Sequence, residues 1–133
     1  MGDRIEGIRK AIGDNGCDAY FSVFPPANQY VTGFSSSFYE ISSAIVVTGS
    51  ESHFMCDFRY TEQARNEVVD FTIEEITGDL LARAGEHLVK IGAQRVAYDP
   101  DGLTVSELNR LQSAFDGAVV ADGAVVSRMR VIK

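Results

Sequence analysis

Residues 44–56 read Ala-Ile-Val-Val-Thr-Gly-Ser-Glu-Ser-His-Phe-Met-Cys, and this stretch decides the fold. Its first five residues form a continuous apolar run of the kind found in buried strands. Gly49–Ser52 is rich in turn residues, and His53–Cys56 returns as a second strand. The pattern predicts a β-hairpin, so the sheet must contain an antiparallel pair.

Upstream of the hairpin, the sequence predicts a helix, a strand and a long connection. The helix carries isoleucines at helical spacing between Asp3, its N-cap, and the stop signal Asn15-Gly16. Ala19–Phe24 is an aromatic and branched run typical of a strand. Pro25-Pro26 should end that strand, because proline supplies no donor to a ladder. Residues 27–43 are predicted to be an ordered loop rich in aromatic side chains.

Downstream, helices and strands alternate. Asp57 is predicted to cap a helix over residues 58–68, Phe71–Glu75 to form a strand, and Thr77 or Asp79 to open a helix that Gly92 closes. The remaining predicted elements are a strand at Arg95–Tyr98, a turn at Asp99–Gly102, a helix opened by the capping box Thr104/Glu107, a strand at Ala118–Ala121 and a helix from Asp122 to Lys133. This alternation predicts an α/β fold with a mixed, mainly parallel sheet flanked by helices.

The length and the composition of the chain, with 45% hydrophobic and 23% charged residues, fit one compact domain over residues 1–133. The net charge of −7 argues against nucleic acid and anionic membrane surfaces as partners. No apolar run is long enough to span a bilayer, and the polar start does not resemble a signal peptide, so we expect a cytoplasmic protein. Cys17 and Cys56 are expected to be buried, reduced thiols, a disulfide between them being the alternative.

The sequence offers little catalytic chemistry. His53 and His87 are the two histidines, and neither belongs to a close metal-binding pair, so each is interpreted as an ordinary histidine. Cys56 is three strand positions from His53, which places the two on opposite faces and argues against a nucleophile–base pair. The adjacent pair Glu74-Glu75 is interpreted as a solvated edge. The sequence therefore predicts no catalytic residue and no metal ligand in this chain.

Three other stretches stand out: Asn28-Gln-Tyr-Val-Thr-Gly-Phe34, Cys56-Asp-Phe-Arg-Tyr-Thr-Glu-Gln-Ala64 and Arg128-Met-Arg-Val-Ile-Lys133. In the first, Asn28 is expected to bond local backbone, Gly33 to supply a positive φ, and Tyr30 and Phe34 to pack inward. In the second, Arg59 is expected to pair with a nearby carboxylate while Tyr60 covers the sheet edge.

In this order and spacing, the three stretches resemble the amino-terminal domain of the creatinase, prolidase and aminopeptidase P family. That family typically shows an Asn followed by Tyr-Leu-Thr-Gly-Phe, matched by Asn28 and Tyr30–Phe34. It then shows Thr-Asp-x-Arg-Tyr with a following Gln-Ala, and later an Arg-x-x-Lys. These are matched here by Asp57, Arg59, Tyr60, Gln63, Ala64, Arg130 and Lys133.

The resemblance implies that this chain is a non-catalytic domain. The family's catalytic residues, two Asp, one His and two Glu around two divalent ions of manganese or cobalt type, lie in a later pita-bread domain. None of that domain is in residues 1–133, and the apolar face expected on the last helix favours a chain that continues. The parent would then be a metallopeptidase that cleaves the bond before proline in a peptide substrate.

The resemblance also implies a role in dimer formation and in shaping the substrate pocket. The loop after Thr32-Gly33-Phe34 does this in creatinase-like members, so Phe38, Tyr39 and Glu40 are candidates for a wall that reaches the neighbouring subunit's substrate. The alternative is that Phe38 and Tyr39 simply pack on the sheet. Family members often carry Gly-Ser after the Phe, whereas this chain has Ser35–Ser37. Dipeptidase, aminopeptidase and creatine-type amidinohydrolase parents therefore stay open.

Two other functions remain alternatives. The first is a binding module of the same fold that has lost the metals and holds protein partners. The second is an unrelated stand-alone α/β domain that binds a small ligand.

Overall fold

The computed structural model describes residues 2–35, 41–122 and 125. The described residues form six strands: β1 (Ala19–Ser22), β2 (Ala44–Thr48), β3 (Ser52–Cys56), β4 (Thr72–Glu75), β5 (Arg95–Tyr98) and β6 (Ala118–Ala121). They also form five α-helices: α1 (Gly2–Asp14), α2 (Pro25–Thr32), α3 (Thr61–Glu67), α4 (Leu80–Lys90) and α5 (Val105–Ala114). The predicted α/β class is confirmed.

The six strands form one mixed sheet in the order β4-β3-β2-β1-β5-β6. β2 is antiparallel to both of its neighbours, while the β3–β4, β1–β5 and β5–β6 pairs are parallel. Every described strand except β2 therefore points the same way. The predicted hairpin is the β2–β3 pair, with Ala44 opposite Met55 and Val47 opposite Ser52.

Side chains alternate across the sheet and bury both of its faces, because successive residues of a strand point to opposite sides. On one face, Tyr20, Ile45 and Phe54 pack with the isoleucines of α1 and with side chains of α2 and α3. On the other face, Phe21 and Met55 pack with the leucines of α4 and α5. The result is three layers, with the sheet in the middle.

Helix caps explain why α4 and α5 begin where predicted. Asp79 Oδ2 accepts a hydrogen bond from the Ala82 amide at 3.1 Å, which makes Asp79 the N-cap of α4. Thr104 and Glu107 form the predicted capping box of α5, with bonds of 2.9 and 3.1 Å. Each cap satisfies amides that the first helical turn leaves without an intrahelical partner.

Two boundaries differ from the prediction. Pro25-Pro26 does not open a loop, because the prolines occupy the first turn of α2, where the missing amide is no loss and the fixed φ suits a helix. β1 accordingly ends at Ser22 and not at Phe24. The helix predicted from residue 58 begins only at Thr61.

Other sequence predictions have mixed outcomes. Cys17 and Cys56 are buried free thiols, as predicted. Among the described residues, no helix is both long enough and apolar enough to cross a membrane. The helix predicted from Asp122 onward and the Arg130 and Lys133 motif fall largely outside the described residues, as do Phe38, Tyr39 and Glu40.

Candidate functional site

The carboxyl ends of five strands meet at one edge of the sheet, because only β2 is reversed. The segments that leave this edge begin at Val23, Asp57, Ile76, Asp99 and, after β6, Asp122. The start of β2 lies at the same edge, since that strand runs the other way. In open α/β sheets, ligands bind in crevices beyond the carboxyl ends of strands, which makes this edge the place to look for a site.

Asp57 and Arg59, directly after β3, form an ion pair with each other. The Arg59 side chain donates to both Asp57 carboxylate oxygens, with the shortest distance 2.7 Å between Nη2 and Oδ2. The Arg59 amide also donates to Oδ1 at 2.9 Å. This hydrogen bonding from Arg59 lowers the pKa of the Asp57 carboxyl below its ordinary value.

The prediction that Asp57 caps the following helix is wrong. The N-cap of α3 is Tyr60, whose side chain makes no capping bond. Asp57 instead closes a local turn, because its carboxylate bonds the amide two residues later and its carbonyl accepts from the Tyr60 amide at 3.0 Å. The turn takes up the residues that the prediction had assigned to the helix.

A surface cleft of about 260 Å³ opens beside this ion pair. A second pair, Arg110 Nη1 to Asp79 Oδ1 at 3.1 Å, also lines it and joins α5 to the start of α4. Ser42 lines the cleft too, and its buried Oγ has no hydrogen-bond partner among the described residues. The cleft presents two arginines and two carboxylates, so it suits a polar or zwitterionic partner. Its other lining residues are Ile41, Ile76, Gly78, Leu80 and Leu81.

Asn28 ties α2 to the two strands beside it. Its Nδ2 group lies 3.2 Å from the Ser22 carbonyl, 3.2 Å from the Ser43 carbonyl and 3.0 Å from Ser43 Oγ. The side chain is buried, so these bonds replace water. At the other end of α2, Gly33 adopts φ 88° and ends the helix in the left-handed conformation, as predicted.

The aromatic residues of the two described motifs pack together. Phe34 is buried against Phe54, with ring centroids 5.0 Å apart, and its ring meets that of Tyr60 edge-on at 6.0 Å. Tyr30 is half-buried, and the Arg4 guanidinium lies 3.9 Å from its ring centroid. Phe34 thus packs inward as predicted, while Tyr30 stays at the surface of the core.

Side chains of α3 hold the chain where it leaves the first motif. Gln63 Nε2 donates to the Ser35 carbonyl at 2.6 Å and to Glu67 Oε1 at 3.1 Å. The Ser35 amide donates to the same Glu67 oxygen at 2.7 Å. Ser35 is thus held by α3, and Ser43 is held by Asn28. Gln63 belongs to the second motif and Asn28 to the first, so each motif contributes a hydrogen bond to a residue near positions 36–40.

The two histidines come together, although the sequence analysis treated them as unrelated. Their ring centroids are 4.3 Å apart, both are buried, and each has a ring nitrogen 3.4 Å from a different oxygen of Glu74. Glu74 is thus half-buried and not part of a solvated edge, whereas Glu75 points to the other face and accepts from Thr61. His53 and Cys56 do lie on opposite faces, as predicted.

Comparison with known proteins places this arrangement in a family. The family described as Creatinase/Prolidase N-terminal domain matches residues 4–132. The uncharacterized peptidase YqhT of Bacillus subtilis (strain 168) is 28% identical over 131 residues, which are 98% of this chain and 36% of that protein. The chain thus spans about a third of the length of this relative.

Solved structures share the fold. The Xaa-Pro dipeptidase from Bacillus anthracis superimposes with a TM-score of 0.89 at 24% identity, over 98% of this chain and 36% of that one. The N-terminal domain of cytoplasmic peptidase PepQ from Mycobacterium tuberculosis H37Rv gives 0.84 at 21% identity and covers 96% of this chain and 98% of that one. The X-Pro aminopeptidase from Thermotoga maritima MSB8 gives 0.76 at 26% identity, over 89% and 34%.

Proposed function

This chain belongs to the Creatinase/Prolidase N-terminal domain family, and we propose that it is the non-catalytic amino-terminal domain of an Xaa-Pro dipeptidase or aminopeptidase. The observation that carries the proposal is the match of residues 4–132 to the Creatinase/Prolidase N-terminal domain family, together with similarity to about a third of the length of longer peptidases. Membership of this family also removes the alternative of an unrelated ligand-binding domain. We expect the parent protein to be cytoplasmic, as one structural relative, the cytoplasmic peptidase PepQ, is described to be.

The parent's two-metal centre does not fit the residues described here. Such a centre needs carboxylates and a histidine gathered around two ions. Among the described residues, the cluster that can surround a cation is His53, Glu74 and His87, which offers a single carboxylate. We therefore assign catalysis and the two manganese- or cobalt-type ions to the rest of the parent, and no catalytic step to this chain.

The proposed contribution of this chain is the presentation of residues 36–40. Residues near both of its ends are held by hydrogen bonds, since Ser35 bonds Gln63 and Glu67 and Ser43 accepts from Asn28. Family motifs that converge on a short segment indicate that its position matters to the parent. We propose that Phe38, Tyr39 and Glu40 shape the substrate pocket of a neighbouring subunit in a homodimer.

The test uses the full-length parent, assayed with Xaa-Pro dipeptides and longer Xaa-Pro peptides in the presence of manganese. We expect hydrolysis by the parent and none by residues 1–133 alone. Replacing Phe38 and Tyr39 together with Ala should raise KM while kcat changes less, because these side chains would contribute binding and not chemistry. Val105→Ala, which trims an exposed apolar side chain on α5, is the control.

Each part of the proposal can be refuted by a separate result. Unchanged KM and kcat in the double variant would refute the pocket role and leave the family role standing. A parent that is monomeric by sedimentation would refute the cross-subunit arrangement. A native gene that lacks the two Asp, one His and two Glu downstream of Lys133 would refute the peptidase and favour the metal-free binding module.

A further inference from the structure

The buried cluster of His53, Glu74 and His87 joins three elements. His53 lies on β3, Glu74 on the neighbouring strand β4, and His87 on α4, which packs over them. Glu74 Oε1 is 3.4 Å from His53 Nδ1, and Glu74 Oε2 is 3.4 Å from His87 Nδ1. One nitrogen from each ring and one carboxylate oxygen lie within 4.8 Å of one another.

The hydrogen-bond pattern leaves one ring nitrogen of His53 without a hydrogen-bond partner among the described residues. Glu51 Oε1 is 2.7 Å from His53 Nε2, and a carboxylate can only accept, so Nε2 carries the hydrogen. In the neutral ring, Nδ1 then keeps a lone pair that faces the Glu74 carboxylate, which is also an acceptor. His53 Nδ1 and His87 Nε2 are both buried and have no hydrogen-bond partner among the described residues. His53 and His87 are each only 8% exposed.

The cluster thus holds two buried ring nitrogens that have no hydrogen-bond partner among the described residues, beside one carboxylate, and a cation would satisfy such a set. We propose that His53, Glu74 and His87 form a binding site for a divalent metal ion of zinc type. Two imidazoles and one carboxylate are a known ligand set for Zn²⁺, and imidazole disfavours Mg²⁺ and Ca²⁺ as alternatives. Tetrahedral bonds of about 2.05 Å place ligand atoms roughly 3.3 Å apart. The three candidate ligand atoms lie within 4.8 Å of one another, so small side-chain movements would bring them to that spacing.

The surroundings suit a metal site in two further ways. Glu51 holds the far nitrogen of His53, as a second carboxylate does behind many metal-bound histidines. The Glu74 side chain is 34% exposed, so the cluster has a solvent-facing side through which an ion can enter and where a water can complete the coordination.

The first experiment titrates Zn²⁺ into the metal-stripped 133-residue chain by calorimetry at pH 8. We expect one ion per chain with a Kd of roughly 1 µM or tighter. A hundredfold excess over Kd should raise the melting temperature by about 10 °C. Cobalt(II) in place of zinc should give the strong visible absorption of a tetrahedral complex.

A matched pair of variants then locates the site. Glu74→Gln removes the proposed ligand and should weaken binding at least about 100-fold, whereas Glu75→Gln makes the same charge change on the opposite face and should leave it unchanged. Glu51→Gln should weaken it by about 10- to 100-fold, as loss of a carboxylate behind a ligand does.

Nitrogen NMR of the unmodified chain keeps the test independent of whether variants fold. The chain has two histidines, so their four ring nitrogens can be assigned directly. Metal binding should shift one nitrogen of each ring and leave His53 Nε2 protonated. The proposal is overturned by binding no tighter than millimolar, by equal affinity in the Glu74 and Glu75 variants, or by ring nitrogens that do not respond. A proton found on His53 Nδ1 at pH 8 with zinc present would also overturn it.

Discussion

Replacing Gly85 with Ala should destabilise the chain, although the same change stabilises most helices. Gly85 is buried in α4 where that helix crosses α5. A Cβ atom at this position would lie 2.7 Å from the Ala114 Cβ and 3.0 Å from the Leu111 carbonyl oxygen. The nearest atoms belong to the backbone or to the first side-chain carbon, so they cannot swing away and α4 must move.

Two opposing contributions set the magnitude. Ala has a helix propensity about 1 kcal/mol better than that of Gly. Overpacking of a buried contact costs about 1–3 kcal/mol, and contacts under 3 Å with rigid atoms belong at the upper end. The net expectation is a loss of about 1–2 kcal/mol in the free energy of unfolding. For a chain of this length that corresponds to a melting temperature lower by roughly 4–8 °C.

Urea unfolding followed by circular dichroism measures the change, and Gly13→Ala is the control. Gly13 lies exposed near the end of α1, and no atom would come within 4 Å of its Cβ, so the control should gain up to about 1 kcal/mol. Adding Ala114→Gly to the Gly85 variant removes the closest contact and should restore part of the loss. A Gly85 variant at least as stable as the parent chain would refute this account of the α4–α5 crossing. Strict additivity of the Gly85 and Ala114 changes would also contradict it.

Three further predictions concern the motif residues. Phe34→Ala should lower the unfolding free energy by about 3–5 kcal/mol, because the ring is buried against two other aromatic rings. A urea midpoint close to that of the unmodified chain would contradict this prediction. Asn28→Ala should lose about 1–3 kcal/mol because it leaves two buried carbonyls without their donor, whereas Asn109→Ala, at an exposed helical position, should lose nothing. The pKa of Asp57 is lower in the folded chain than in the unfolded chain, where it is about 3.9. The ion pair therefore stabilises the fold fully above the unfolded-state pKa, and this contribution is lost as the pH falls through the folded-state pKa. In a carboxyl NMR titration, Arg59→Ala should therefore raise the Asp57 pKa toward the ordinary value, and an unmoved titration would exclude the ion pair as its cause.

Local signals in the sequence predicted most of the fold. Some elements are determined by a few neighbouring residues, so they can be predicted without tertiary information. They are the buried run at Ala44–Thr48, the cap at Asp79 and the capping box at Thr104. The start of α2 was missed because Pro25-Pro26 is compatible with both a strand end and a helix start. The packing of Val31 and Ala27 against the sheet, which is a tertiary effect, selects the helix.

The candidate sites were harder to predict because their members are far apart in the chain. The sequence offers Thr77 or Asp79 as the start of α4, but the pairing of Asp79 with Arg110 depends on how α5 lies beside α4. His53, Glu74 and His87 meet only because β4 lies beside β3 and α4 folds back over both. No spacing rule covers such a set, whereas the motif at Asn28 and Gly33 could be recognised because it is contiguous.

The sheet order has a consequence for how the chain folds during synthesis. β4, β3, β2 and β1 are neighbours in sequence as well as in space. The other neighbour of β1 is β5, which lies far along the chain and pairs Val96 with Ala19 and Ala97 with Tyr20. The amino terminus of a nascent chain leaves the ribosome first, so these four strands can assemble before β5 has emerged. Until then the open edge of β1 resembles the unpaired edges through which proteins aggregate. Translation speed between Thr48 and Arg95 therefore sets how long that edge stays open, and slow codons there should favour misassembly of the nascent protein.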